Sequence, residues 1–233
     1  MNSLTRVIMV IVLSAISMEV SGKGLCGLTR NQYVSFTNRL AKIGASKDYR
    51  GLFKLANEFH HDYHNLDGAE LLYKKCLHLS MKAGIKPEEE YCFLGDVCSA
   101  MRYLYKERVQ KTTNKSMRTK YDKIETRFYS AAMALGHAET VRKTVETSIE
   151  LYEKNRSDEH SVIYGQFLAE EISPSLKKKY PDVWKKATAI IKEVYEVRNG
   201  AERCRSLENI RKKRDDSRKK AFDTIKDFMF DRM

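Results

Sequence analysis

From Leu52 onward the apolar residues fall three and four apart, and Leu52, Phe53, Leu55, Ala56 and Phe59 form the stripe of an amphipathic helix. Asn65 and Asp67 mark a turn. Ala69, Leu72, Tyr73, Cys76, Leu77 and Leu79 then repeat the spacing until Gly84 and Pro87 interrupt it. These two stripes predict a helical hairpin. The pattern recurs through Tyr91, Phe93, Leu94, Val97, Met101, Leu104 and Tyr105, and again through Tyr121, Ile124, Phe128, Tyr129, Ala131, Ala132 and Leu135. A polar loop from Lys111 to Ser116 separates them. A further helix is expected from His137 and Ala138 to Tyr152, another through Val162, Ile163, Phe167 and Leu168, and one bearing Val183, Trp184, Ala187, Ile190, Ile191, Val194 and Tyr195. Pro174 and Pro181 bracket the link to the last of these.

No stretch of useful length alternates as a strand does. The chain of 233 residues holds only 11 Gly and 3 Pro, too little punctuation for a sandwich, a barrel or a Rossmann unit. The expected class is all-α. Short helical hairpins repeating along a chain predict an α-solenoid, in which each unit buries its apolar face only by stacking on the next. A composition of 42% hydrophobic and 32% charged residues is sufficient for such a core.

The first residues read as an address. Arg6 precedes the apolar run from Val7 to Met18, which Glu19 ends, and Val20-Ser21-Gly22 follows with residues tolerated at a cleavage site. The run is too short to span a bilayer and fits the h-region of a secretory signal. Cleavage is expected after Gly22, with Gly24 as the alternative; Leu25 is too bulky for a lipid-modified Cys26. The organisation expected is a signal peptide over 1–22, a helical repeat domain over 23–200 and a basic amphipathic C-terminal helix over 201–233. An exported chain, periplasmic or secreted, would carry Cys26, Cys76, Cys92, Cys98 and Cys204 into an oxidising compartment. Two disulfides and one spare thiol are the arithmetic.

The run Leu72-Tyr73-Lys74-Lys75-Cys76, and later Phe128-Tyr129-Ser130-Ala131-Ala132-Met133-Ala134-Leu135-Gly136-His137-Ala138, resembles Sel1-like repeats, a subclass of the tetratricopeptide-like solenoids. Tyr91-Cys92-Phe93-Leu94-Gly95 is similar to the first helix of such a unit, with fainter echoes at Val162-Ile163-Tyr164-Gly165 and Trp184-Lys185-Lys186-Ala187. Together they cover Tyr49 to Tyr195. In this family small alanines let helices approach, a glycine ends the second helix and an aromatic fills the gap between units. The interval of 56 residues from Tyr73 to Tyr129 departs from the family spacing, so Met101 to Met117 must hold an extended helix or an insertion. The resemblance also implies a disulfide between Cys76 and Cys92, as in the bacterial cysteine-rich Sel1-like proteins. Cys98, six residues after Cys92, points to another side of the helix; Cys26 is its first partner and Cys204 the competitor.

His60 and His64 stand four apart and could share a helical face as zinc ligands, but no third ligand is identified and a polar helix end is the expected reading. Glu88-Glu89-Glu90 after Pro87 suits the positive end of a helix. No phosphate-binding glycine loop and no nucleophile with an identified base appear, so no catalytic residue, metal or cofactor is expected.

Charge points to the partner. The 43 Lys+Arg against 31 Asp+Glu leave a net +12. Lys106 to Arg127 carries eight cations against three carboxylates, and Arg203 to Lys220 nine against three. Ala221, Phe222, Ile225, Phe228, Met229 and Phe230 then form an apolar set on the terminal helix, read as a cap on the repeats, with contact at a membrane surface as the alternative. Nucleic acid is not expected beside a secretory signal. The expected function is an exported adaptor binding an acidic peptide or protein in a helical-repeat groove, with Lys115, Arg118 and Lys120 as contacts. The alternative implied by the resemblance is a cell-envelope enzyme or a protein binding cell wall or β-lactams. Intact-mass measurement of the exported protein should give a chain beginning at Lys23; a retained Met1 contradicts the signal reading.

Overall fold

The computed structural model describes residues 30–46, 48–82, 87–155, 164–165, 167–168, 172–195 and 200–230. The signal expected over 1–22 lies outside them. Among the described residues every regular element is helical: α1 (Arg30–Ser46), α2 (Tyr49–His61), α3 (Leu66–Lys82), α4 (Pro87–Lys111), α5 (Lys115–Ala134), α6 (Ala138–Lys154), α7 (Pro174–Lys179), α8 (Pro181–Tyr195) and α9 (Gly200–Met229). None is long and apolar enough to cross a membrane. The chain forms two compact units, one ending at Gly84 and the other beginning at Ile85.

In the first unit the Asp48 carboxylate caps α2 by accepting the Gly51 N–H at 2.9 Å, and Asn65 Oδ1 accepts the Gly68 N–H at 2.7 Å where α3 starts. Both helices therefore begin where short polar side chains satisfy otherwise unpaired donors. The sequence stripes meet: Leu52, Leu55, Ala56 and Phe59 are buried against Ala69, Leu72, Tyr73, Cys76 and Leu77. The Tyr73 hydroxyl donates to Asn57 Oδ1 at 2.7 Å, so its polar tip is satisfied inside the hairpin. α1, which the apolar spacing did not predict, attaches through Phe36, whose ring centre stands 4.5 Å from that of Phe59, and through Arg39, bound to Glu58 at 2.7 Å.

The second unit is built on the antiparallel pair α4 and α5. α4 runs for 25 residues, and the stretch from Met101 to Met117, expected to hold an extended helix or an insertion, contains the end of this long helix, a turn and the start of α5. The turn at 112–114 is shorter than the loop expected from Lys111 to Ser116, because Asn114 already caps α5 by accepting the Met117 N–H at 3.1 Å. Arg102 binds Glu125 at 2.7 Å and Tyr105 meets Tyr121 at 5.8 Å, fixing the register of the pair. A second core gathers Val141, Val145 and Ile149 of α6, Phe167, Leu168, Ile172 and Leu176, and Ala187 and Ile190 of α8. The link between Pro174 and Pro181 is itself a short helix, α7, with Pro174 at its first turn.

The terminal helix is far longer than its apolar set. α9 spans 30 residues, and its buried face, Ala221, Ile225 and Phe228, packs against the α4–α5 pair and not on the last helices before it. Phe228 stands edge-on to Phe128 at 5.1 Å and to Tyr105 at 6.2 Å, while Asp227 pairs with Arg127 at 2.7 Å. Further toward its start, Arg214 lies over Phe167 at 5.6 Å and Ile210 is partly buried against the second core. α9 thus ties both cores of this unit together. Phe228→Ala should cost about 3–5 kcal/mol of unfolding free energy in a urea titration followed by circular dichroism. Phe230→Ala, at a residue 59% exposed, should cost less than about 1 kcal/mol; equal costs would contradict this packing.

Candidate functional site

The end of α5 organises the polar chemistry of the second unit. Gly136 has φ +82°, the left-handed conformation that ends a helix with little strain only in glycine. The Gly136 N–H then donates to Met133 O at 3.1 Å and the His137 N–H to Ala132 O at 2.9 Å, the paired bonds of a Schellman cap. The site is crowded from two sides. A Cβ on Gly136 would stand 2.1 Å from Ile172 O, and one on Gly95 of α4 would stand 3.0 Å from His137 N. The buried Ser173 hydroxyl donates to Gly136 O at 2.9 Å. Two of the three glycines in the runs that resemble the repeats therefore meet at one junction.

His137 closes α5 and caps α6. Its Nδ1 accepts the Thr140 N–H at 3.3 Å and lies 2.8 Å from Thr140 Oγ1, which requires an unprotonated Nδ1. Burial, reinforced by Lys179, lowers its pKa to about 4; Glu139 opposes this, and Arg102 and Lys143 add to it. Asp96 Oδ1 is 3.8 Å from Nε2. Beside it Arg142 forks to Glu139 at 2.7 Å and Glu146 at 2.8 Å, lies over the Tyr180 ring at 5.1 Å, and holds Glu139 down to about 2. The Tyr180 hydroxyl donates to Glu139, which raises its own pKa. These groups satisfy one another and fix where α6 and α7 leave the junction.

Among the described residues no cysteine takes part in a bridge. Cys76, Cys92 and Cys98 are free thiols, so the Cys76–Cys92 disulfide implied by the resemblance is not formed in the structure. Cys76 is buried in the core of the first unit and its thiol donates to Tyr49 O at 3.1 Å, while Cys92 belongs to the second unit. Burial pushes all three thiols up, most strongly at Cys76 and Cys98; Ser175, Lys179 and Arg218 ease it at Cys92. Raised thiols are poor nucleophiles. Cys26 lies outside the described residues, as does the side chain of Cys204.

His60 and His64 do not share a helical face, because α2 ends at His61 and His64 adopts φ +50° beyond it. His60 is buried, stacked on His61 at 4.3 Å and edge-on to Tyr73 at 6.4 Å. Among the described residues no group of three metal-ligating side chains comes together.

Two surfaces remain. Lys115, Arg118 and Lys120, expected from the sequence as contacts, are exposed on the first turns of α5, with Lys106 on α4 and Lys123 on α5. Other cations of this stretch are engaged: Lys111 by Glu107 at 2.7 Å, Arg127 by Asp227, Arg102 by Glu125 and by the Tyr129 ring at 4.5 Å, and Arg108 over Tyr105 and Tyr121 at 5.4 and 5.5 Å. The second surface is a cavity of about 1280 Å³ between α5, the Phe167 segment and α9. Ala131, Phe167, Leu168 and Ala221 form its floor, and Ser130, Lys213, Asp216 and Lys220 stand at its edge. The sequence did not announce it, since three segments far apart along the chain build it and its floor residues read simply as helix core.

No protein-family description, curated protein or solved structure compared with this chain matches it.

The cap makes a pH prediction. An unfolded histidine takes up a proton near 6.5, whereas His137 resists until about 4, so the unfolded chain binds more protons between these values. This contribution to stability is complete above 6.5 and is lost as pH falls toward 4, by up to about 3 kcal/mol. His137→Asn keeps a capping oxygen, and its urea midpoint should fall less than that of the wild type on acidification through this window. Parallel slopes would remove His137 as the cause.

Proposed function

We propose that this chain is a non-catalytic interaction module, an exported Sel1-like, tetratricopeptide-like adaptor that holds a peptide of a partner protein in a groove between its helices. The observation that carries the reading is the open cavity of the second unit, with its apolar floor and charged, hydroxyl-bearing edge. An extended or helical peptide could place apolar side chains on Phe167 and Leu168 and polar ones at Ser130 and Lys213. Support for a repeat-like scaffold comes from the antiparallel pairs α2–α3 and α4–α5 and from the meeting of Gly95 with the Gly136 junction. In this reading the helical hairpins stack as a solenoid, and α9 serves as the cap that completes it.

The polar groups with shifted pKa values favour binding over chemistry. Glu139, Arg142 and Tyr180 bind one another, His137 caps a helix, and the thiols are held protonated. The terminal helix is better read as a cap than as a membrane ligand, because Ala221, Ile225 and Phe228 are already buried.

Peptides selected from a random library on the intact protein at high salt, where exposed charges are screened, should bind this groove. Ser130→Trp places an indole at the cavity edge from an exposed position, and it should weaken those peptides at least about tenfold while leaving the melting temperature within a few degrees. Unchanged affinity would contradict the groove as the site.

A further inference from the structure

We infer that the free end of the α4–α5 hairpin is a second, electrostatic docking surface, which receives an acidic peptide segment of the partner protein. Lys106, Lys115, Arg118, Lys120 and Lys123 are exposed there, and among the described residues none of them is held in an ion pair. Asp122 is the one exposed carboxylate on the same turns of α5. The excess is therefore uncompensated locally. The neighbouring cations, in contrast, already have carboxylates or tyrosine rings, so the unpaired positive charge of the hairpin is concentrated on these five side chains.

The exposed face of α9 makes the comparison. Lys212, Lys213, Lys219 and Lys220 are also exposed, but Glu208, Asp216 and Asp223 are exposed among them. The interspersed carboxylates weaken the attraction of this face for an acidic chain. On α5, Lys115 to Lys123 span about 12 Å of helix, a reach of roughly four extended residues of a ligand. Met117, 39% exposed, offers apolar contact beside the charge.

These features favour a peptide over other anions. The rings that single-stranded nucleic acid would need for stacking are engaged, since Arg102 lies over Tyr103 and Tyr129 and Arg108 over Tyr105 and Tyr121. A lipid surface would need an inserted apolar face, and here Met117 is the only exposed large apolar residue among the described residues of α5. The inference rests on the adaptor reading only in taking the ligand to be part of a protein. The hairpin end would raise the rate of encounter and the groove would supply specificity.

Fluorescence anisotropy of a labelled oligoglutamate peptide at low salt tests this directly. The wild type should bind, with affinity falling as salt rises. Lys115→Ser combined with Arg118→Ser and Lys120→Ser should weaken binding about tenfold or more, while Lys185→Ser combined with Lys212→Ser and Lys219→Ser, an equal loss of charge at exposed positions outside the groove, should change it less than about threefold. All six side chains are exposed, and matching circular dichroism melts establish that the variants fold. Ser130→Trp should bind the probe as the wild type does, which separates this surface from the groove. Equal losses in the two triple variants would reduce the effect to net charge and overturn the inference, as would no binding by the wild type. Tighter, hairpin-dependent binding of a heparin oligosaccharide or of phosphatidylserine vesicles would overturn it in favour of that ligand.

Discussion

The second unit depends on the left-handed turn at Gly136. A side chain there would meet Ile172 O, and even a Cβ on Gly95 would press on His137 N, so two glycines from different helices are needed for α4, α5 and the segment at 172–173 to come together. The same turn sets His137 as the cap of α6, and Ser173 ties the carbonyl of Gly136 to the start of α7. Once these directions are fixed, the core of α6 and α8 has one place to form. The polar network of Glu139, Arg142, Glu146 and Tyr180 forms beside it as a consequence.

α9 completes what the junction begins. Its buried residues join the aromatic cluster of Tyr105, Phe128 and Phe228, and its arginines lie on rings, Arg214 over Phe167 and Arg218 over Tyr91 at 4.8 Å. A helix carrying this much positive charge can pack closely because the guanidinium groups are placed on aromatic faces or beside carboxylates. The exposed cations of the hairpin end lack such places. The two surfaces of the proposed function are what packing leaves over: a gap between three segments and the unpaired cations near one turn.

The helical class and most helix positions were legible, because the apolar stripes of α2 to α6 recur at the helical spacing and Gly136 sits where a helix must stop. The interval between Tyr73 and Tyr129 signalled an extended helix or an insertion over Met101 to Met117, and the structure has the long α4 followed by a turn there. α1 was missed, since Phe36 and Leu40 alone carry its described buried face, and α7 was hidden between two prolines that also read as a link. For the paired histidines the expected polar helix end is what the structure has, since four residues apart means one face only while the helix continues, and it ends at His61. The cysteine pairing came from resemblance and not from geometry, and the structure places Cys76 and Cys92 in separate units as thiols. The cations could be counted in the sequence, but which of them are free became visible only when their neighbours were in place.

The most direct measurement of the central claim is the stability of Gly136→Ala, followed by urea titration with two probes. Trp184, the single tryptophan, reports the core of α6 and α8 by fluorescence, and far-ultraviolet circular dichroism reports the helices as a whole. The account predicts a loss of more than about 2 kcal/mol, from the strained backbone and the collision with Ile172, with the Trp184 transition moving to lower urea. An unchanged midpoint would contradict the role given to this turn, and with it the account of how the second unit positions its two surfaces.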